Sequence, residues 1–514
     1  MPSAPLLNIK DLSVTMSGER LFEELSLSIE PGELVAVIGG NGCGKTTLLN
    51  LIIARATGRP YMVNDTTFAV DGSIMMPPGT IPAYLPQKIT GAALSADGAR
   101  SGSRSVLARL SQDFGITGPD RSLDVLSGGE LQKLGLVRVL ASAAALYLLD
   151  EPTNYLDIGG ITALEYHLSR LKESGKGILA VTHDRALANN LADRTILITG
   201  RGIYATVGGA EAVKALEAVS VESRRHKAKE ISKKIEQLQQ DARAKAGWSA
   251  RSESRKMGGG MSKPYFAKLS KRMAKRAKVV ERRIEKKTEE LAQSKPFVPK
   301  KLDLCFPRYK VRNRNVFRFE NVSFGYKGAR DAGEMLLNEV VFAATTRDRI
   351  CLMGDNGSGK TTIIKLIQRM LSPSSGRVHT NDKLKLAYIP QDLDDFFTGD
   401  TLLDNFGDCG MPESTVRQHL GSVMIRRDKV YNPVEKFSRG ELMRAAVTKC
   451  VLLRAEFLLL DEPTSNLDVE SIEVLERVLN EFDGGFLVIS HDRAFAANVC
   501  DRLYVLRGGR LRLV

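Results

Sequence analysis

"GGNGCGKTT" (Gly39–Thr47) and "GDNGSGKTT" (Gly354–Thr362) decide how this 514-residue chain is read. Both have the form G-x-x-x-x-G-K-T. Both follow an apolar run, "ELVAVI" or "DRICLM", and both open a second one, "TTLLNLII" or "TTIIKLIQ". A continuous apolar run of this length suits a strand buried on both faces of a largely parallel sheet, and the second run starts a helix. Between strand and helix, glycines let main-chain N–H groups close around phosphate oxygens. The expected phosphate-binding sets are Gly39, Asn41, Gly42, Gly44, Lys45, Thr46 and Thr47, and Gly354, Asn356, Gly357, Gly359, Lys360, Thr361 and Thr362. Lys45 and Lys360 are placed to reach β- and γ-phosphates, and Thr46 and Thr361 to hold Mg2+. A fortuitous glycine loop is the plainer alternative, and recurrence between the right elements counts against it.

The repetition extends outward from these loops. "YLPQ" (84–87) recurs as "YIPQ" (388–391), and "LSGGELQKLGLVRVL" (126–140) as "FSRGELMRAAVTKCV" (437–451). "LYLLDEPTNYLD" (146–157) recurs as "FLLLDEPTSNLD" (457–468), and "VTHDRA" (181–186) as "ISHDRA" (489–494). Order is kept, and Ser127 to Asp150 and Ser438 to Asp461 are both 23 residues. This is a duplicated α/β domain. Asp150 and Asp461 end apolar strands, where a carboxylate can hold Mg2+ through its water shell. Glu151 and Glu462 follow and are candidates to orient or deprotonate an attacking water. Capping of the "EPT" turn is the structural alternative. His183 and His491 also end apolar runs. A lone histidine there is usually structural, but the repeat favours a γ-phosphate contact.

Hydrophobic residues make up 43% of the chain, as in an ordinary globular protein, and no apolar run approaches a membrane span. The N-terminus carries no secretory signal pattern. Six scattered cysteines form no C-x-x-C, which argues against a disulfide framework or a zinc or iron–sulfur site and suits a reducing, cytoplasmic setting. Net charge is +14, and it is concentrated. Residues 221–300 hold 24 Lys and Arg against 9 Asp and Glu, a net +15, so the rest of the chain is nearly neutral. Such a field suits a polyanion.

That basic segment has heptad patterning. Ala228, Ile231, Ile235, Leu238 and Ala242 mark one arm; Met273, Ala277, Val280, Ile284 and Leu291 mark a second. Gly247, Gly258–Gly260 and Pro264 are expected to stop the helices between them, giving an antiparallel helical hairpin with a basic tip. Trp248, Arg251, Arg255, Lys256, Lys263, Lys268, Lys271, Arg272, Lys275 and Arg276 mix cations with an aromatic ring, a combination suited to RNA. A solvated spacer is the alternative.

The signature-like stretch, D-E-P-T-x-x-L-D and S/T-H-D-R, in this order after a P-loop, resemble ATP-binding-cassette domains. Two such cassettes joined by a basic helical linker, with no membrane segment, resemble the ABC-F family over essentially the whole chain. The resemblance implies two cassettes, residues 1–209 and 310–514, around a linker at 210–309. It implies ATP and Mg2+ as ligands, ATP hydrolysis, and head-to-tail pairing within one monomer. Gln87 and Gln391 then sense Mg2+ and γ-phosphate, Asp157 and Asp468 belong to D-loops, and Tyr326 stacks on adenine. Ser127, Gly128 and Gly129 close over nucleotide on the second P-loop, and Ser438 and Gly440 over the first. Arg439 in place of Gly128, and Met16 in place of Tyr326, are expected to fall on the composite site built on Lys45.

ABC-F proteins act on ribosomes. The resemblance therefore implies docking near the tRNA exit site, with the linker toward P-site tRNA and the peptidyl-transferase region of large-subunit rRNA, and no transmembrane partner. Some members relieve stalled ribosomes; others dislodge antibiotics. Only 40 residues separate Gln87 from Ser127, which leaves no room for the extra arm some members insert. That, with no appended C-terminal domain, tilts the expectation toward antibiotic protection. The rivals are a transporter ATPase subunit, a DNA-handling ATPase, and the ribosome-recycling cassette protein, which needs an N-terminal cysteine-rich cluster domain.

Overall fold

The computed structural model describes residues 4–58, 68–89, 104–116, 128–199, 202–254, 279–280, 282, 284–288, 311–326, 335–425 and 428–514. The first copy runs β1 (Leu7–Met16), β2 (Glu19–Ile29), β3 (Leu34–Gly39), α1 (Lys45–Thr57), β4 (Phe68–Met75), β5 (Ala83–Leu85), α2 (Arg104–Asp113), α3 (Gly128–Leu140) and β6 (Leu146–Asp150). It continues with α4 (Ile158–Glu173), β7 (Gly177–Val181), α5 (Arg185–Leu191), β8 (Arg194–Thr199) and β9 (Gly202–Val207). Helix α6 (Ala210–Ser254) follows. The second copy runs β10 (Asn315–Phe324), β11 (Leu337–Thr345), β12 (Arg349–Gly354), α7 (Lys360–Ile367), β13 (Ser375–Thr380), β14 (Leu386–Ile389), α8 (Glu413–Ser422) and α9 (Arg439–Leu452). It ends with β15 (Phe457–Asp461), α10 (Val469–Asn480), β16 (Gly485–Ile489), α11 (Arg493–Val499), β17 (Arg502–Arg507) and β18 (Arg510–Leu513).

Each copy carries a six-stranded sheet, ordered β5-β6-β7-β3-β8-β9 and β14-β15-β16-β12-β17-β18, and a three-stranded antiparallel sheet. The six-stranded sheets are parallel except at their last pair. Every residue of β3, β6 and β7 is buried, as continuous apolar runs require of two-sided strands. The order β6-β7-β3 gathers three strand ends at one edge. There Asp150 pairs with Val181 and Val37 with Val181, so the P-loop, Asp150 and His183 all leave the sheet together. In an open α/β sheet this carboxyl edge is where ligands bind.

The duplication reaches the backbone's strained positions. Asp11 and Asn321 (φ 50° and 47°), Glu24 and Glu339, Glu151 and Glu462, and Tyr155 and Asn466 all adopt left-handed conformations in matched pairs. Asp11 and Asn321 sit at irregularities in β1 and β10, opposite Gly72 and Gly376. A Cβ on Gly376 would come within 2.3 Å of the Asn321 carbonyl oxygen, so only glycine lets the strands close there.

By contacts, Met1–Val213 with Leu302–Val514 form one compact unit and Lys214–Lys301 another. Helix α6 is one 45-residue element, about 67 Å at 1.5 Å per residue. It passes through Gly247, which was expected to end it. A single helical glycine costs about 1 kcal/mol, too little to interrupt a long helix. Ala228, Ile231, Ile235 and Leu238 are partly buried while the residues between them are exposed, as a heptad seam requires. Val280 and Ile284 are partly buried too, whereas Met273, Ala277 and Leu291 lie outside the described residues.

Gly376→Ala is expected to lower the thermal midpoint by several degrees, corresponding to roughly 2 kcal/mol or more. Calorimetric unfolding of the variant beside the unaltered chain measures it.

Candidate nucleotide sites at the cassette interface

Each P-loop ends on a left-handed glycine that opens the next helix, Gly44 (φ 94°) before α1 and Gly359 (φ 105°) before α7. Cβ atoms there would press on Phe22 at 2.9 Å and on Leu336 at 3.0 Å. Lys45 and Lys360 are buried. The Lys45 ammonium donates to the carbonyls of Gly39 (2.8 Å) and Gly40 (2.9 Å), and Lys360 to those of Gly354 (2.7 Å) and Asp355 (3.0 Å). An ammonium has three N–H donors, so each keeps one for a phosphate oxygen.

Asp150 and Asp461 stand at the ends of β6 and β15, almost wholly buried. Burial raises both carboxyls; the neighbouring Thr46 and Thr361 hydroxyls and the lysines oppose it. Thr361 Oγ1 donates to Asp461 Oδ2 at 2.9 Å. Both Asp150 oxygens are buried with no hydrogen-bond partner among the described residues. A hard cation beside a hydroxyl and a carboxylate fits such atoms.

Glu151 and Glu462 turn the chain sharply, with φ of 51° and 49°. Their amides donate to Val181 (2.8 Å) and Ile489 (3.0 Å), the last residues of β7 and β16. This aims their carboxylates at the histidines: Glu151 Oε1 lies 3.3 Å from His183 Nε2, and Glu462 Oε1 lies 3.1 Å from His491 Nε2. Burial lifts Glu151 to about 8, and burial with Lys45 drops His183 to about 3.

The two cassettes meet through their D-loops. Asp157 caps α4, accepting from Gly160 N (2.9 Å), and also accepts from Asn356 N in the opposite P-loop (3.1 Å). Asp468 caps α10, accepting from Ser471 N (2.9 Å), and accepts from Asn41 N (3.1 Å). Burial pushes both aspartates up, but these amides, with the Ser471 hydroxyl at Asp468 and Lys133 near Asp157, outweigh it, so both lie below the usual carboxylate range.

A cavity of about 910 Å3 lies at this junction. Lys360, Thr361, Gln391, Tyr326, Asp461, Glu462 and His491 from the second cassette face Gly129, Glu130 and Lys133 of α3 from the first, and Gln87 and Glu151 also border it. The head-to-tail facing that the family resemblance implies is thus present around Lys360. Tyr326, half exposed, stands edge-on to Phe324 and shares a hydrogen bond with Thr362 Oγ1 (3.2 Å). Gly128 starts α3, and Ser127 lies outside the described residues. Ser438 caps α9 through a reciprocal pair with Glu441, and Gly440 is buried. Arg439 departs from expectation. Its guanidinium turns back to the carbonyl of Gln391 in its own cassette, so this substitution touches the wall of the Lys360 site. A long flexible side chain need not serve the site its backbone borders. Met16 is partly buried on β1.

The motifs did not reveal four residues that join the cassettes. Arg185 bonds Glu476, and Arg493 bonds Glu165 at 2.5 and 3.4 Å. Their signal lay in the repeat: each arginine is two residues past a histidine, and each glutamate eight past a D-loop aspartate. Of the residues singled out for RNA, Trp248 and Arg251 lie on α6, with only their backbone described. Arg255, Lys256, Lys263, Lys268, Lys271, Arg272, Lys275 and Arg276 lie outside the described residues.

Burial raises Asp492, the cap of α11, to about 6, against the opposing Phe495 N–H and Arg185. Between about pH 4 and 6 the folded chain keeps a proton that the unfolded chain has released, so stability falls as pH rises through that window. Asp492→Asn removes this term. Its thermal midpoint, compared by calorimetry, is expected to match the parent near pH 4, exceed it by a few degrees at pH 6, and hold that lead above.

The ABC transporter family profile matches residues 22–154 and 337–465, one stretch in each copy. The putative ATP-binding protein YdiF of Bacillus subtilis is 27% identical over 98% of this chain and 80% of its own. Human ATP-binding cassette sub-family F member 3 is 28% identical over 98% and 71%. The archaeal ribosome recycling factor aABCE1, solved with the stalk protein aP1, shares the fold at a TM-score of 0.60 and 20% identity, over 95% of this chain and 87% of that one. The two relatives matched over 98% of this chain bear out the ABC-F resemblance. With paired phosphate loops and acidic strand ends in place, the chain belongs to the ABC transporter family as a tandem pair of ATP-binding cassettes that hydrolyse ATP.

Proposed function

We propose that this chain is an ATP-driven ribosome-binding protein of the cytoplasm. Cassette closure on ATP docks it near the tRNA exit site, and its basic linker acts on P-site tRNA and the peptidyl-transferase region of large-subunit rRNA. One observation carries this: two P-loops clasped by opposite D-loop aspartates, in a chain whose positive charge is concentrated in residues 221–300. Among the described residues no helix is long and apolar enough to cross a membrane. The ribosomal stalk partner of the recycling factor that shares this fold points the same way. The proposed division is 1–209 and 310–514 for the cassettes and 210–309 for the linker.

In each site the lysine takes β- and γ-phosphate oxygens. Thr46, Asp150 and Gln87, or Thr361, Asp461 and Gln391, hold Mg2+, which when bound neutralises phosphate charge. Glu151 and Glu462 orient and deprotonate the attacking water, and His183 and His491 hold the γ-phosphate. Tyr326 stacks on adenine, and the signature residues Ser127, Gly128 and Gly129 close from the opposite cassette, as Ser438 and Gly440 do for the first P-loop. The short Gln87–Ser127 interval favours protection of the ribosome from antibiotics over relief of stalled ribosomes. The cations at Lys268, Lys271, Arg272, Lys275 and Arg276 carry the RNA contact.

A Glu151→Gln, Glu462→Gln double variant is expected to co-sediment with ribosomes in ATP at physiological ionic strength. Neutralising Lys271, Arg272, Lys275 and Arg276 should weaken that association and flatten its salt dependence. Failure to co-migrate, or association with DNA or membranes instead, overturns the ribosomal role. The single variants are expected to lose ATPase activity unequally, because Tyr326 and Arg439 have no counterpart at the Lys45 site; equal losses would remove the asymmetry.

A further inference from the structure

Helices α4 and α10 do more than present D-loops. Helix α10 begins at Asp468, which takes the amide of Asn41 in the first P-loop. Eight residues further, about 12 Å along the axis, Glu476 takes the guanidinium of Arg185. Arg185 is the first residue of α5, and only Asp184 separates it from His183. One helix of the second cassette thus grips both walls of the first cassette's site. Helix α4 does the same in reverse: Asp157 takes the Asn356 amide, and Glu165 takes Arg493, two residues past His491.

We propose that Arg185 and Arg493 are positioning residues for His183 and His491, each held in place by the opposite cassette, so that each histidine is set for the γ-phosphate only when the cassettes are paired. Arg185 and Glu476 are both buried, at 9% and 8% exposure. A buried ion pair is a poor source of net stability, since desolvation offsets the attraction, and its best-attested use is to fix register between bodies. The surroundings sharpen the point. Asp184 and Asp492 cap α5 and α11 from the same two turns, and they face one another closely enough to repel. Arg493 lies within electrostatic reach of Asp184, and Arg185 of Asp492. With Glu165 and Glu476, four carboxylates surround two guanidiniums. A cluster with that excess of acid is satisfied only while each arginine stays threaded into the opposite half. Glu165 is held from its own side as well, by Asn190 Nδ2 at 3.2 Å.

The test uses the full chain in two backgrounds. Glu462→Gln leaves turnover to the Lys45 site, and Glu151→Gln leaves it to the Lys360 site. Glu476→Gln, which keeps shape and removes charge, is expected to lower kcat at the Lys45 site by about tenfold or more, with KM for ATP within about twofold, because the histidine moves while the P-loop does not. Turnover at the Lys360 site should fall far less. Glu165→Gln should give the mirror result. Arg185→Lys should keep part of the rate, and the exchanged pair Arg185→Glu, Glu476→Arg should regain activity that either single exchange loses. Equal losses at both sites from Glu476→Gln would reduce the pair to generic interface glue and overturn the proposal. So would a rise in KM at unchanged kcat, or unaltered turnover. Should the exchanged pair fail to fold, Arg185→Lys and Glu476→Gln decide the matter alone.

Discussion

Asp157 and Asp468 each hold two main-chain amides, one starting their own helix and one belonging to the other cassette's phosphate loop. The rest of the interface depends on this double acceptance. A carboxylate that accepts several amides is held ionised, and both aspartates lie below their ordinary range despite burial. The contact fixes where the opposite P-loop stands relative to the helix that follows. Everything further along that helix, including Glu165 or Glu476, is then placed by helical geometry.

The chemistry is positioned by the sheet. Three neighbouring strands end at one edge, and each delivers a different function: the phosphate loop from β3, the acidic pair from β6, the histidine from β7. The left-handed turn at Glu151 and Glu462 swings the acid out of line with its strand and toward the histidine. Such strain persists where the surrounding structure over-determines it, here through hydrogen bonds from their N–H groups to the Val181 and Ile489 carbonyls.

Much of this was legible in the sequence, because strand ends, glycine loops and terminal acids are local patterns. Continuous apolar runs marked the buried strands, and the repeat confirmed each motif twice. What escaped depends on partners distant in the chain. No local pattern announces that Arg185 crosses to Glu476, although equal offsets in both copies carried the hint. Arg439 was placed by its motif position, but the reach of its side chain decided its contact. Gly247 was read as a stop, yet one glycine weighs little against forty-four other helical residues. The departure at Met16 was visible as a missing ring, and the structure adds only that the residue is partly buried.

The reciprocal grip of α4 and α10 also bears on how such a chain evolves. After duplication, each half surrendered the completion of its own reaction centre to its sibling. Neither half can be discarded, swapped for a foreign homologue or allowed to decay without blinding the one that remains. What differs between the halves is single side chains at the composite site, a hydroxyphenyl ring on one side only and an arginine in one signature, and the wholly unmatched insert that separates the twins.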